Sequence, residues 1–215
     1  MTFRAALFDV DGTLLDSLGV WKDIDRRYFA MKGMDVPEHY AEQINGLSFL
    51  QTAVYTKDHF GFPESPEEIA ALWREMCREE YEKHLTIKPG VKKYLTGLRE
   101  RGVKLAVVTT LSRNLFGPAL ERNGILHLFD ACATTDEGGE TKAEGRIYTL
   151  AAQRLDMPNA DCAVFEDIPE GLTGAKKAGM TAVLVYDRHN EKSLSLSKNI
   201  CDHYIETFEG STYGY

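Results

Sequence analysis

Dense runs of positive charge are missing from this 215-residue chain, in which 25 lysines and arginines are outnumbered by 33 aspartates and glutamates. The formal net charge is -8. Without a dense basic tract to neutralise a phosphate backbone, no nucleic-acid partner is expected, and an anionic small molecule would need local cationic help. Long apolar runs are missing too. The opening MTFRAALFDV is broken by Asp9 before it reaches the length of a secretory core or a membrane span, so a cytoplasmic protein with no membrane partner is expected. Cysteine is sparse: Cys77, Cys132, Cys162 and Cys201 form no C-x-x-C pair and lie in or beside apolar segments, which predicts reduced, mostly buried thiols and not a disulfide scaffold. The six histidines form no H-E-x-x-H or paired spacing, which argues against zinc. Internal repeats and low-complexity tracts are also lacking. What remains is a soluble globular composition, long enough for one sizeable core and a smaller appended unit, and expected to be monomeric.

Arg4 to Val10 is a short apolar run ending in DVDGT, a pattern that predicts a buried strand entering a tight glycine-containing turn. From Ser17 the period becomes helical: Val20, Ile24, Tyr28 and Met31 recur on one face, and Gly33 suits a C-terminal cap. Ser65-Pro66-Glu67-Glu68 has the form of a helix start, with a capping serine, a proline at the first helical position and a glutamate at the third. Residues 16–85 contain no convincing strand and read as an all-helical insert, with 1–15 and 86–215 forming the core. After Pro89-Gly90 helix and strand alternate. Strands are expected at Lys104–Thr109, Ala131–Thr134, Ala163–Phe165 and Thr181–Tyr186, and helices after Val91, after Ser112 as a cap, over Ile147–Leu155 and up to Gly179. This is an α/β, Rossmann-like, mostly parallel sheet with right-handed crossovers. The tail from Asn190 is less periodic and reads as surface structure with a mobile terminus.

In such a sheet, ligands bind beyond the carboxyl ends of the strands. That rule collects Asp9 and Asp11, Thr109 and Thr110, and Glu166 and Asp167 on one edge, within reach of Lys142. Carboxylates brought that close repel one another unless a cation sits among them, and hard oxygen donors point to Mg2+ bridging protein and phosphate. Within DVDGT, two carboxylates at alternate positions can divide the labour of phosphoryl transfer. Asp9 would attack phosphorus; Asp11 would protonate the leaving oxygen and then activate water. Lys142, the Thr109 hydroxyl and nearby backbone N–H groups would hold the phosphoryl oxygens. Gly12 and Thr110 join this phosphate-binding set.

Taken together these residues resemble the haloacid dehalogenase-like hydrolases, in particular the helical-capped branch that includes β-phosphoglucomutase-like phosphatases. DVDGT at Asp9–Thr13, VVTT at Val107–Thr110, Lys142, and FEDIPEGLTGAKKAGM at Phe165–Met180 are similar to that family's four motifs in order. The resemblance implies that Asp9 and Asp167 are metal ligands, that Asp11 contributes its backbone carbonyl, and that Glu166 sits in or near the metal shell. It also implies a mobile cap that closes over the substrate, excludes water and sets specificity. Two positions depart from the pattern. Lys142 is followed by Ala-Glu-Gly where a proline-containing run is usual, which leaves Lys104 open as an alternative, and Ile168 stands where serine is usual. In the resembling mutases a cap loop carries an arginine that grips a second phosphate; here the loop is Gly46-Leu47-Ser48-Phe49, with Gly46 a candidate phosphate contact and Phe49 in the arginine's place.

An EF-hand reading of Asp9 to Gly12 fails, because a buried strand precedes the motif and its glycine comes early. Glu166-Asp167 alone would suit an ordinary helix start, Lys142 alone a solvated surface group, and Trp21, Phe49 and Trp73 cap packing. The joint reading is a Mg2+-dependent phosphohydrolase acting on a small phosphorylated metabolite, such as a sugar phosphate. Its rivals are a sugar phosphomutase, a dehalogenase, which would need neither Asp11 nor the metal pair, and a phospho-acceptor signalling module.

Overall fold

The computed structural model describes residues 3–44, 49–138 and 141–214. The chain divides into two compact units, Met1–Leu18 with Leu85–Tyr215, and Gly19–His84. Strand β1 (Ala5–Phe8) opens the first unit, and every residue in it is buried, as suits a central parallel strand.

The inserted unit holds only helices among its described residues: α1 (Leu18–Met31), α2 (Tyr40–Gln43), α3 (Phe49–Phe60) and α4 (Pro66–Lys83). Helix α1 buries Val20, Ile24, Tyr28 and Phe29. Met31, expected on that face, is 61% exposed, because the apolar stripe drifts to Phe29 in the last turns. Gly33, at φ 71°, ends the helix, with its N–H donating to the Ala30 carbonyl and that of Met34 to Phe29. A reciprocal capping box opens α4: the Glu68 N–H donates to Ser65 Oγ and the Ser65 N–H to Glu68 Oε2. Trp73 packs edge-on against Tyr28, and Phe29 against Tyr40 and Phe60, so this unit has its own aromatic core.

The first unit resumes with α5 (Val91–Glu100), β2 (Lys104–Thr109), α6 (Arg113–Arg122), β3 (Ala131–Thr134), α7 (Thr135–Gly138), α8 (Arg146–Arg154), β4 (Cys162–Glu166), α9 (Pro169–Lys177), β5 (Thr181–Val185), α10 (Leu194–Ile200) and β6 (His203–Ile205). The sheet order is β3-β2-β1-β4-β5-β6, all pairs parallel. Phe8 pairs in register with Val107 on one side and Phe165 on the other. Alternation then sorts the side chains. Phe8 and Phe165 stack at 4.3 Å and meet Tyr94 of α5, while Leu7, Val164 and Leu184 belong to the cluster that includes Ile147 and Tyr148 of α8 and Leu172 of α9.

Three expectations need correction. Residues beyond Asn190 are not simply surface structure: α10 leads into β6, and Tyr213 packs on Phe3 and Phe165 while its carbonyl accepts from Tyr94 Oη. The strand escaped notice because it is three residues long and buries only Ile205. Ser112 stands at the N-cap of α6 without a side-chain capping bond. Two of the four free cysteines, Cys77 and Cys162, are buried, and Cys132 and Cys201 are partly exposed. Among the described residues no helix is long and apolar enough to cross a membrane.

Candidate active site

Strand order reverses around β1, whose neighbours are β2 and β4, so the chain segments leaving β1 and β4 flank the switch point where open α/β sheets bind ligands. Asp9 leaves β1 with its N–H donating to the Phe165 carbonyl at 3.0 Å. Two residues past Phe165, Asp167 follows. The carboxylates of Asp9, Glu166 and Asp167 each offer an oxygen within 4.8 Å of the others. All three are buried, at 5%, 0% and 3% exposure. Alternation along β4 turns Glu166 away from the Phe165 face and towards α8 and α9. Lys142, itself buried, forms ion pairs with Asp9 and with Glu166 Oε1, the latter at 2.5 Å. Lys104 donates to the Leu155 carbonyl at the start of β2, beside the start of β1 and so at the opposite end of the strands from Asp9.

Two glycines of the Phe165–Met180 run make room for these groups. A β-carbon on Gly171 would lie 2.3 Å from Glu166 Cδ, and one on Gly174 1.9 Å from the Lys142 carbonyl oxygen. Gly12, at φ 73°, plays a similar part, since a β-carbon there would lie 2.2 Å from Asp167 Oδ2. The Gly12 N–H donates to the Leu15 carbonyl at 3.1 Å. Asp11 is half-buried and accepts a 2.6 Å hydrogen bond from Ser17 Oγ. Thr109 is buried at the end of β2, where its Oγ1 accepts from the Leu111 N–H, and Thr110 is exposed just beyond. Gly46 lies outside the described residues.

The sequence reading missed several groups around the cluster. Tyr148 Oη donates to Glu166 Oε1 at 2.8 Å, and Asn190 Nδ2 donates to Asp167 Oδ2 at 2.5 Å. Lys88 Nζ donates to the carbonyls of Gly12 and Tyr186 and to Asp187 Oδ2. Tyr148 falls in the helix expected over Ile147–Leu155, where nothing local marks it for the site, and nothing local marks the other two.

Electrostatically the cluster is short of positive charge. Burial pushes the Glu166 carboxyl up to about 7, with Lys142 opposing and Asp9 adding to the rise. Asp167 is held well above the ordinary carboxylate range by burial and then by the charges of Asp9 and Glu166. For Lys142, burial alone would lower the pKa, but the carboxylates of Asp9 and Glu166 outweigh it and raise it. Burial beside Glu166 likewise raises Tyr148 well above the usual phenol value. Glu166 Oε2 is buried without a hydrogen-bond partner. An unpartnered buried carboxylate oxygen, three acids against one ammonium, and an all-oxygen donor set together fit a hard divalent cation.

A parallel sheet carrying an acidic cluster and a buried lysine at its switch point suits phosphoryl-transfer chemistry. Residues 6–185 match the family described as haloacid dehalogenase-like hydrolase, and the chain belongs to that family. It is similar to the CbbY protein of Cereibacter sphaeroides, 30% identical over 207 residues that cover 87% of each protein. It is similar also to the phosphorylated carbohydrates phosphatase of Thermotoga maritima, 25% identical over 193 residues covering 89% of each. Among solved structures, CbbY from Rhodobacter sphaeroides in complex with xylulose-(1,5)bisphosphate superposes with a TM-score of 0.73 at 25% identity, over 96% of this chain and 95% of that one. Within its family the chain is an enzyme of the phosphatase kind.

Proposed function

We propose that this chain is a Mg2+-dependent phosphohydrolase that cleaves a small phosphorylated metabolite, a sugar phosphate or a similar molecule, through an aspartyl-phosphate formed on Asp9. The observation that carries this reading is the buried meeting of Asp9, Glu166 and Asp167 with Lys142 at the switch point. Asp9 attacks phosphorus as the bond to the leaving oxygen breaks, and Asp11 gives that oxygen its proton. Asp11 then takes a proton from the water that attacks the aspartyl-phosphate, releasing inorganic phosphate and restoring Asp9. Asp9, Asp167 and the Asp11 carbonyl, with Glu166 beside them, would hold Mg2+, which when bound would supply positive charge to offset that of the phosphoryl group. Lys142 pairs with Asp9 and aligns it, and the Thr109 hydroxyl donates to a phosphoryl oxygen.

Substrate choice is assigned in this reading to the inserted helical unit. The relatives' names support phosphorylated carbohydrates as the first class to try. A phosphomutase would need a cationic grip on a second phosphate, and Phe49 stands where the resembling mutases carry arginine. The test is phosphate release from a panel of phosphorylated sugars and related metabolites with MgCl2 or with EDTA, comparing wild type with Asp9→Asn. Release is expected only from the wild type with Mg2+, with no sugar isomer among the products. Unchanged turnover by a folded Asp9→Asn chain would end the reading.

A further inference from the structure

We infer that Asn190 is a positioning residue of the metal site, holding Asp167 in the orientation that Mg2+ requires. The inference rests on the Mg2+ site proposed above. Asn190 is 23 residues from Asp167 in the chain, yet its Nδ2 donates to Asp167 Oδ2 at 2.5 Å and lies 3.3 Å from the Asp167 carbonyl. Only donors suit that place, because both atoms it faces are acceptors. One carboxylate oxygen is thereby engaged. The other, Oδ1, has a long 3.5 Å contact from Thr13 Oγ1 and can face a cation.

The turn that carries Asn190 is tied down on both sides. Asn190 interrupts the helical dihedrals of its segment at φ -100°, ψ 17°. Its N–H donates to the Asp187 carbonyl, and its own carbonyl accepts from Ser193 Oγ. Asp187, 5% exposed, accepts from the His189 N–H through Oδ1 and from Lys88 Nζ through Oδ2. Lys88 also donates to the Gly12 carbonyl at 2.6 Å, so one ammonium links the turn after β5 to the turn after β1. Three buried acids repel one another, and the Asp167 side chain would swing away if nothing held it. An amide on a braced turn prevents this at no charge cost, and outer partners of this kind orient metal ligands.

The test is calorimetric titration of the metal-free full-length chain with MgCl2, with no substrate present, for wild type, Asn190→Ala and Asn190→Leu. Leucine keeps the asparagine's shape and deletes its donor. Near-UV circular dichroism in EDTA identifies which variant is folded. The expected result is an apparent Mg2+ dissociation constant raised about 10- to 100-fold in either folded variant, with turnover restored by excess Mg2+. Asn199→Ala, an exposed position on α10, should bind Mg2+ as the wild type does. A folded Asn190 variant with wild-type Mg2+ affinity would overturn the inference while leaving the phosphohydrolase reading intact. A wild type that binds no Mg2+ would overturn both.

Discussion

Gly174 has no room for a β-carbon, and what it would strike is the backbone carbonyl of Lys142, 1.9 Å away. A flexible side chain could yield to such a contact, but backbone cannot. Gly174→Ala is therefore expected to cost about 1–3 kcal/mol or more through overpacking, and to abolish phosphatase activity by moving Lys142. Gly179 offers the contrast: its φ is 72° but its surroundings are open, so Gly179→Ala should cost about 1–2 kcal/mol and keep activity. Urea midpoints and turnover measured on both variants check this, and equal activity losses would contradict it. Asp25 supports a second argument at this scale. Partial burial in α1 raises its carboxyl to about 6, above the ordinary value of 3.8. Between roughly those pH values the folded chain holds a proton that the unfolded chain has released, so stability falls as pH rises through the window. Asp25→Asn removes that penalty. Discounted for solvent screening, the gain should be on the order of 1 kcal/mol at pH 8 and smaller at pH 5. A gain of the same size at both pH values would show that the carboxyl does not titrate there.

Among the helices, two serines at the same nominal position make different contributions. Ser65 and Glu68 exchange hydrogen bonds at the start of α4, whereas Ser112 makes no capping bond at the start of α6. Ser65→Ala should cost about 1 kcal/mol, and Ser112→Ala should leave the urea midpoint nearly unchanged; a comparable loss from both would remove the capping explanation. The capping box was legible in the sequence because its partners lie three residues apart. Strands β1, β2, β4 and β5 were legible for a related reason: parallel strands buried on both faces read as unbroken apolar runs. An edge strand such as β6, with two of three residues exposed, leaves no such trace. The same distinction runs through the site. Asp9, Gly12 and the Glu166-Asp167 pair sit in short motifs at strand ends and could be named in advance. Tyr148, Lys88 and Asn190 acquire their roles only from folding, across separations of 18, 76 and 23 residues.

At the scale of the whole molecule, each compact unit has its own core, so each is expected to have its own unfolding transition. The acidic cluster belongs entirely to the sheet unit, and so would any ion bound there. A ligand that binds only the folded state stabilises it by mass action, by about 2.7 kcal/mol at a hundredfold excess over its dissociation constant. For a unit of this size that corresponds to roughly 5–10 °C in melting temperature. The chain provides a selective reporter, because its two tryptophans, Trp21 and Trp73, both lie in the helical unit. Melting followed by tryptophan fluorescence should therefore be indifferent to MgCl2, while the sheet unit's transition, followed by circular dichroism, rises with it. Glu166→Gln should shrink that rise, since it replaces the buried, unpartnered carboxylate oxygen with an amide. A Mg2+-dependent shift confined to the fluorescence signal would put the cation in the wrong unit, and with it the assignment of Asp9, Glu166 and Asp167 as the acids that hold it.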